Sequence, residues 1–171
     1  MRARQMSCCF SGHRPGKLPW GENENDSRCI ALKRRLWDLL ETAYEEGFRH
    51  FICGMARGCD LYFCELALQL RQSHSDVTVE AAVPCPGQCD RWPETEQKRY
   101  HRLVEACDYE TLVQEEYTPQ CMQRRNRYMV DHASLLIAVH DGLSGGTRAT
   151  IQYAMERGLD IVDIPSVEKK R

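Results

Sequence analysis

The feature that most constrains this chain is a regular alternation between two hydrophobic periods. Short apolar runs, several rich in β-branched residues, occur at 6–10, 49–53, 77–83, 109–113, 135–140 and 160–164. Between them lie segments whose apolar residues repeat at helical spacing. In the first, Ile30, Trp37, Leu40 and Tyr44 mark an inward stripe, Ser27 stands at the cap and Gly47 just past the end. Asp60 is placed to cap the second helix. Pro93 with Glu94 and Glu96 opens the third, Thr118-Pro119 the fourth, and Thr147 a fifth that stops at Gly158. Six strands alternating with five helices predict an α/β fold. The expectation is a single Rossmann-like, doubly wound domain over residues 1–171, its sheet mainly parallel with helices on both faces. The expected strand order is 3-2-1-4-5-6.

A chain of 171 residues can bury a full core without staples. The net charge of −2 gives no general electrostatic case for polyanion binding, so nucleic acid is expected to be an unlikely partner. The basic cluster Lys169-Lys170-Arg171 reads as a solvated tail. No apolar run approaches the ~18 residues of a membrane span. The apolar stretch after the basic N-terminus is too short for a signal peptide, so a cytoplasmic protein with no membrane partner is expected. The ten cysteines then belong to a reducing compartment. Cys8, Cys9, Cys53, Cys64 and Cys107 fall on core positions, where thiols act as small hydrophobes. Cys85 and Cys89 are spaced one residue too wide for a zinc knuckle. Neither metal nor disulfide is expected, and the composition is compatible with a homo-oligomer.

In open α/β sheets, ligands sit outside the carboxyl ends of the strands. The loops at those ends are unusual here. After the first strand comes Ser11-Gly12-His13-Arg14-Pro15, where small residues admit a ligand and Arg14 can pair with an anion. After the second comes Gly54-Met55-Ala56-Arg57-Gly58-Cys59-Asp60, two glycines flanking an arginine before a helix N-terminus. After the fifth comes Asp141-Gly142-Leu143-Ser144-Gly145-Gly146-Thr147, a candidate phosphate cradle that is neither a Walker loop nor a dinucleotide fingerprint. The ligand-binding candidates are Ser11, Gly12, His13, Arg14, Gly54, Arg57, Gly58, Asp141, Gly142, Gly145, Gly146 and Thr147. Two further segments could line a base or sugar pocket, or simply pack. One is 84–88 with Trp92, and the other is the helical stripe Arg124, Tyr128 and Asp131. Residues 15–26 form the longest irregular stretch, a flexible flap or an ordered surface loop.

Taken in order, these motifs resemble the YpsA-type branch of the SLOG superfamily. The resemblance rests on the three loops above, on Ala82-Val83-Pro84-Cys85 with Gln88 and Trp92, and on the run from Arg125 to Asp131. It implies a Rossmann-like fold that binds a nucleotide or nucleotide-derived ligand. The wider superfamily includes the LOG phosphoribohydrolases and the DNA-processing protein DprA. The LOG enzymes carry Pro-Gly-Gly-x-Gly-Thr-x-x-Glu, and here Thr150 stands where that glutamate would be. A hydroxyl does not replace a carboxylate, so Glu65 or Asp141 would have to compensate.

The leading expectation is a protein that binds a nucleotide-type small molecule, with a sensor as its role. The alternatives are a hydrolase acting on nucleosides or nucleotides, and a protein-interaction module. A hydrolase requires an acid or base of shifted pKa in the cleft, a sensor a donor-rich pocket without one, and a module a filled pocket. No catalytic residue or cofactor is assigned by the sequence.

Overall fold

A computed structural model describes residues 6–143 and 145–166. The basic cluster at 169–171 and Ser144 lie outside the described residues. Six strands form one sheet: β1 (Ser7–Gly12), β2 (His50–Cys53), β3 (Thr78–Val83), β4 (Tyr109–Leu112), β5 (Leu135–His140) and β6 (Asp160–Pro165). Every neighbouring pair is parallel. The helices are α1 (Ser27–Glu45), α2 (Cys59–Ser73), α3 (Glu94–Ala106), α4 (Cys121–Asp131) and α5 (Gly146–Glu156). The first three cover one face and the last two the other, as expected for a doubly wound α/β domain.

The strand order is β4-β3-β2-β1-β5-β6, which corrects the expected 3-2-1-4-5-6. Instead of crossing back to the centre, β4 pairs with β3, Glu80 against Tyr109. The reason lies in its side chains. Tyr109 and Leu112 are 57% and 46% exposed, which suits an edge strand. Leu136, Ile137, Ala138 and Val139 are buried, which suits β5 beside β1. The chain therefore reverses direction across the sheet after β4, and the switch point falls between β1 and β5.

Alternating side chains of the central strands feed two cores. Phe10, Phe51 and Phe63 fill one with the α1 stripe Leu36 and Leu40, and Phe10 stacks on Phe63 at 4.6 Å. Ile52, Leu136, Met129 and Ala154 fill the other. The buried stripe of α1 is Cys29, Leu32, Leu36, Leu40 and Ala43, whereas Ile30, assigned inward by spacing, is 41% exposed. The helix is capped by Asp26 rather than Ser27, through the Arg28 N–H at 2.9 Å. All ten cysteines are free thiols, nine of them buried. Burial pushes the Cys9 thiol up to about 12. Among the described residues no helix is long and apolar enough to cross a membrane.

Candidate functional site

The loops after β1 and β5 meet at the switch point. Ser11 Oγ, at the end of β1, donates to Thr147 Oγ1, in the first turn of α5, at 3.4 Å. His13 Nε2 accepts the Asp141 N–H at 2.9 Å. That bond needs a neutral ring, and burial pulls the His13 pKa down despite the neighbouring Asp141 carboxylate. The loop after β2 closes the third side, where the Cys59 N–H donates to the His13 carbonyl at 3.1 Å. Gly58 makes this approach feasible. Its φ is +84°, and a Cβ there would stand 2.7 Å from the His13 carbonyl oxygen.

A cavity of about 330 Å³ opens between these loops, lined by Ser11, Arg14, Lys17, Asp60, Arg125 and Thr147 among others. A larger one of about 620 Å³ shares Arg14 and Met122 with it and adds Arg57, Gln88 and Trp92. Arg14 and Lys17 are exposed at the rim. Lys17 Nζ lies 2.6 Å from where a Cβ on Gly145 would be, so its ammonium reaches the N-terminus of α5. Arg57 is turned instead to Glu22, with Glu96 Oε2 at 3.9 Å from its Nε.

Two buried charges form the floor. Asp60 lies in the first turn of α2 rather than at its cap, which is Gly58. Its Oδ2 accepts the Ala56 N–H at 3.1 Å, and Oδ1 has no hydrogen-bond partner. Burial pushes the Asp60 pKa up to about 6, against the pull of the Arg125 guanidinium and the Ala56 amide. Arg125 reaches in from α4 and donates to the Gly54 carbonyl. Its remaining Nη2 contact is the Met122 thioether at 3.8 Å, a weak acceptor. Gly54 separates the two charges: a Cβ there would stand 3.0 Å from both the Arg125 Cζ and Asp60 Oδ2. The next residue, Met55, is fully buried with φ at +62°, a strained conformation that turns the chain so that Ala56 meets Asp60.

The structure thus brings Ser11, Gly12, His13, Arg14, Gly146 and Thr147 to one cavity. Arg57 belongs to its neighbour. Gly54 and Gly58 act beneath the loops, and Asp141 and Gly142 hold the loop after β5 through His13 and His140. The stripe Arg124, Tyr128 and Asp131 is not part of the site. Tyr128 donates to Glu80 at 2.6 Å and Asp131 accepts from Tyr153 at 2.8 Å. The cleft side of α4 is instead Met122, Arg125 and Asn126. Sequence reasoning missed Lys17 and misread Asp60. Glu65 is engaged by Arg99, with Nε donating at 2.6 Å, and Asp141 accepts the Leu143 N–H at 2.9 Å. Both carboxylates are thus engaged within the fold. Thr150 itself donates back to the Gly146 carbonyl at 2.8 Å. Among the described residues no group of three or more His, Cys, Asp or Glu side chains could hold a metal ion.

A parallel sheet with a cleft at its switch point, walled by three glycine-bearing loops, defines a Rossmann-like α/β protein with a ligand-type site. The sequence profile of the YspA SLOG family, named YpsA, matches residues 8–160, and the chain belongs to that family. The uncharacterised SPbeta prophage-derived protein YoqJ of Bacillus subtilis is 30% identical over 138 residues, 73% of this chain and 81% of that one. A UPF0398 protein of Bacillus velezensis is 23% identical over 86% of this chain and 82% of its own length. Among solved structures, the DNA processing protein A (DprA) of Streptococcus pneumoniae has the same fold. The TM-score is 0.63 at 16% identity, over 96% of this chain but only 52% of that one. DprA of Helicobacter pylori, described in a single-stranded DNA binding mode, gives a TM-score of 0.64 at 15% identity, over 98% of this chain and 68% of that one. This overturns the expectation that nucleic acid is an unlikely partner. Net charge summed over the whole chain does not describe the cleft, whose lining holds Arg14, Lys17 and Arg125 beside one carboxylate, Asp60.

Proposed function

We propose that the cleft between β1 and β5 binds a nucleotide-type ligand, free or as a unit of a single strand, with its phosphate at the N-terminus of α5. The observation that carries this is the Ser11–Thr147 contact. It sets the α5 N-terminus beside Arg14 and Lys17, which make no ion pair among the described residues. A phosphate there would take hydrogen bonds from backbone amides on one side and from fixed cations on the other. The single-stranded DNA bound by H. pylori DprA supports testing an oligonucleotide beside free nucleotides. An open cleft of about 330 Å³ speaks against the interaction-module reading, which needs a filled one. The test is calorimetric titration with AMP, ATP, NAD, ADP-ribose and a single-stranded oligodeoxynucleotide. Arg14→Ala should weaken binding roughly 10-fold, about 1.4 kcal/mol, without lowering the thermal midpoint. Equal affinity in parent and variant rules out the phosphate clamp.

A hydrolase acting on the same ligand is the second reading, and Asp60 favours it. A carboxyl titrating near 6 beside a cleft suits a general acid or base. Chromatographic detection of free base released from AMP, lost in Asp60→Asn, is the measurement. Binding without turnover leaves the sensor.

A further inference from the structure

The loop that leads into the α5 N-terminus hangs from two imidazole rings. His13 Nε2 accepts the Asp141 N–H at 2.9 Å, and His140 Nδ1 accepts the Gly142 N–H at 3.0 Å. Consecutive amides of one loop are thus held by ring nitrogens, acceptors that become donors when they take a proton near neutral pH. With its Nε2 donating to Asp163 Oδ1 on β6 at 2.6 Å, His140 keeps Nδ1 as an acceptor. His13 is buried, so water does not replace a lost partner. Burial is the largest influence on its ring and pulls the pKa below the ordinary value. Asp141 acts against burial, and Lys17 and His140 act with it. The loop after β2 meets His13 through its backbone, where the Cys59 N–H donates to the His13 carbonyl at 3.1 Å. From α5, the uncharged Gly146 and Thr147 line the cavity that His13 also lines.

We propose that His13 is a pH latch on the anion site: its neutral ring holds the loop after β5 in the binding arrangement, and protonation releases it. The inference concerns the regulation of the site proposed above and rests on that reading. A protonated Nε2 carries a hydrogen and meets the Asp141 N–H donor to donor. The ring is then satisfied only by the Asp141 carboxylate, whose Oδ1 lies 3.4 Å away. That same oxygen already accepts the Leu143 N–H at 2.9 Å. Trading the amide for the carboxylate therefore shifts Asp141 and loosens its turn to Leu143. The chain runs on from there to Gly145, Gly146 and Thr147, so the first amides of α5 lose their fixed position. A histidine that simply touched the phosphate would act in the opposite sense, because its positive charge would tighten binding as the pH falls.

The test begins without ligand. Amide NMR spectra of the parent are followed from about pH 8 to about pH 5, the range in which histidine titrates. The Asp141 resonance should move with the same midpoint as the His13 Cε1 proton, and its exchange protection should fall roughly 10-fold. His13→Gln offers an amide oxygen that does not titrate in this range, so its Asp141 amide should stop responding. Thermal melts check that the variant folds, and the parent titration decides the matter if it does not. The second arm titrates ADP-ribose and NAD, whose pyrophosphates take up no proton in this range, at both ends of it. Parent affinity should fall roughly 10-fold on acidification, and by a smaller factor in His13→Gln. An Asp141 amide indifferent to His13 protonation overturns the latch. So does affinity that holds or rises in acid, the mark of a histidine acting as a cation. If neither ligand binds while Asp141 follows His13, the latch on the loop stands and the nucleotide reading falls.

Discussion

Asp60 is a carboxyl that the fold withdraws from water without giving both its oxygens a partner. Its pKa of about 6 lies above the ~3.9 of an unfolded aspartate. The folded state binds this proton more tightly, so the contribution to stability is full below about pH 4 and is lost as the pH rises through 6. Asn cannot ionise. Asp60→Asn should therefore gain on the parent between pH 4.5 and 7, by about 2 kcal/mol. Denaturant unfolding of both proteins at the two pH values measures it, and a difference independent of pH means that Asp60 does not titrate there. The sequence could not show this. An aspartate after glycines and before an apolar run carries the signature of a helix cap, and the residue that makes it a buried partner, Arg125, lies 65 positions later. Lys17 was hidden for a similar reason, because its proximity to Gly145 is purely tertiary. Gly12, Arg14 and Thr147 were legible because position after a strand, small size and charge are all local properties.

At the level of elements, the informative junction is β5 to α5. Gly146 is exposed, and a Cβ built on it meets nothing within 4 Å. Gly146→Val should therefore fold normally while its branched side chain occupies the approach to the first amides of α5. We expect ligand affinity to fall roughly 10-fold or more with an unchanged melting curve. A variant that binds as well as the parent would move the anion away from this helix. All six strands and five helices were readable from their periods, although β4 and β6 are largely exposed and bury no continuous face. Their lateral order was not. Periodicity says that a segment is a strand, whereas its neighbours depend on which faces are covered. The clue lay in composition: Tyr-Glu-Thr-Leu of β4 is half polar, and β5 is nearly all apolar.

For the whole molecule, the topology gives the ligand a particular position. The cleft lies on the seam between the β1–β4 part of the sheet and the β5–β6 part, and α4 crosses from one to the other. A ligand contacting both sides would act as a clamp on global unfolding. At 100 times its dissociation constant it should add about 2.7 kcal/mol to the unfolding free energy, with amide exchange slowed on both sides of the seam. Protection confined to α5 would place the ligand on one wall only. The Gly54 carbonyl carries the opposite implication for experiments. This single oxygen takes hydrogen bonds from both Arg125 and Gln88, the first facing the smaller cavity and the second the larger. The two side chains share one oxygen, each taking one of its lone pairs, so disturbing one donor changes the position and polarisation of the acceptor offered to the other. Substitutions at these positions are thus entangled readings of one acceptor, and only a double-mutant cycle separates them.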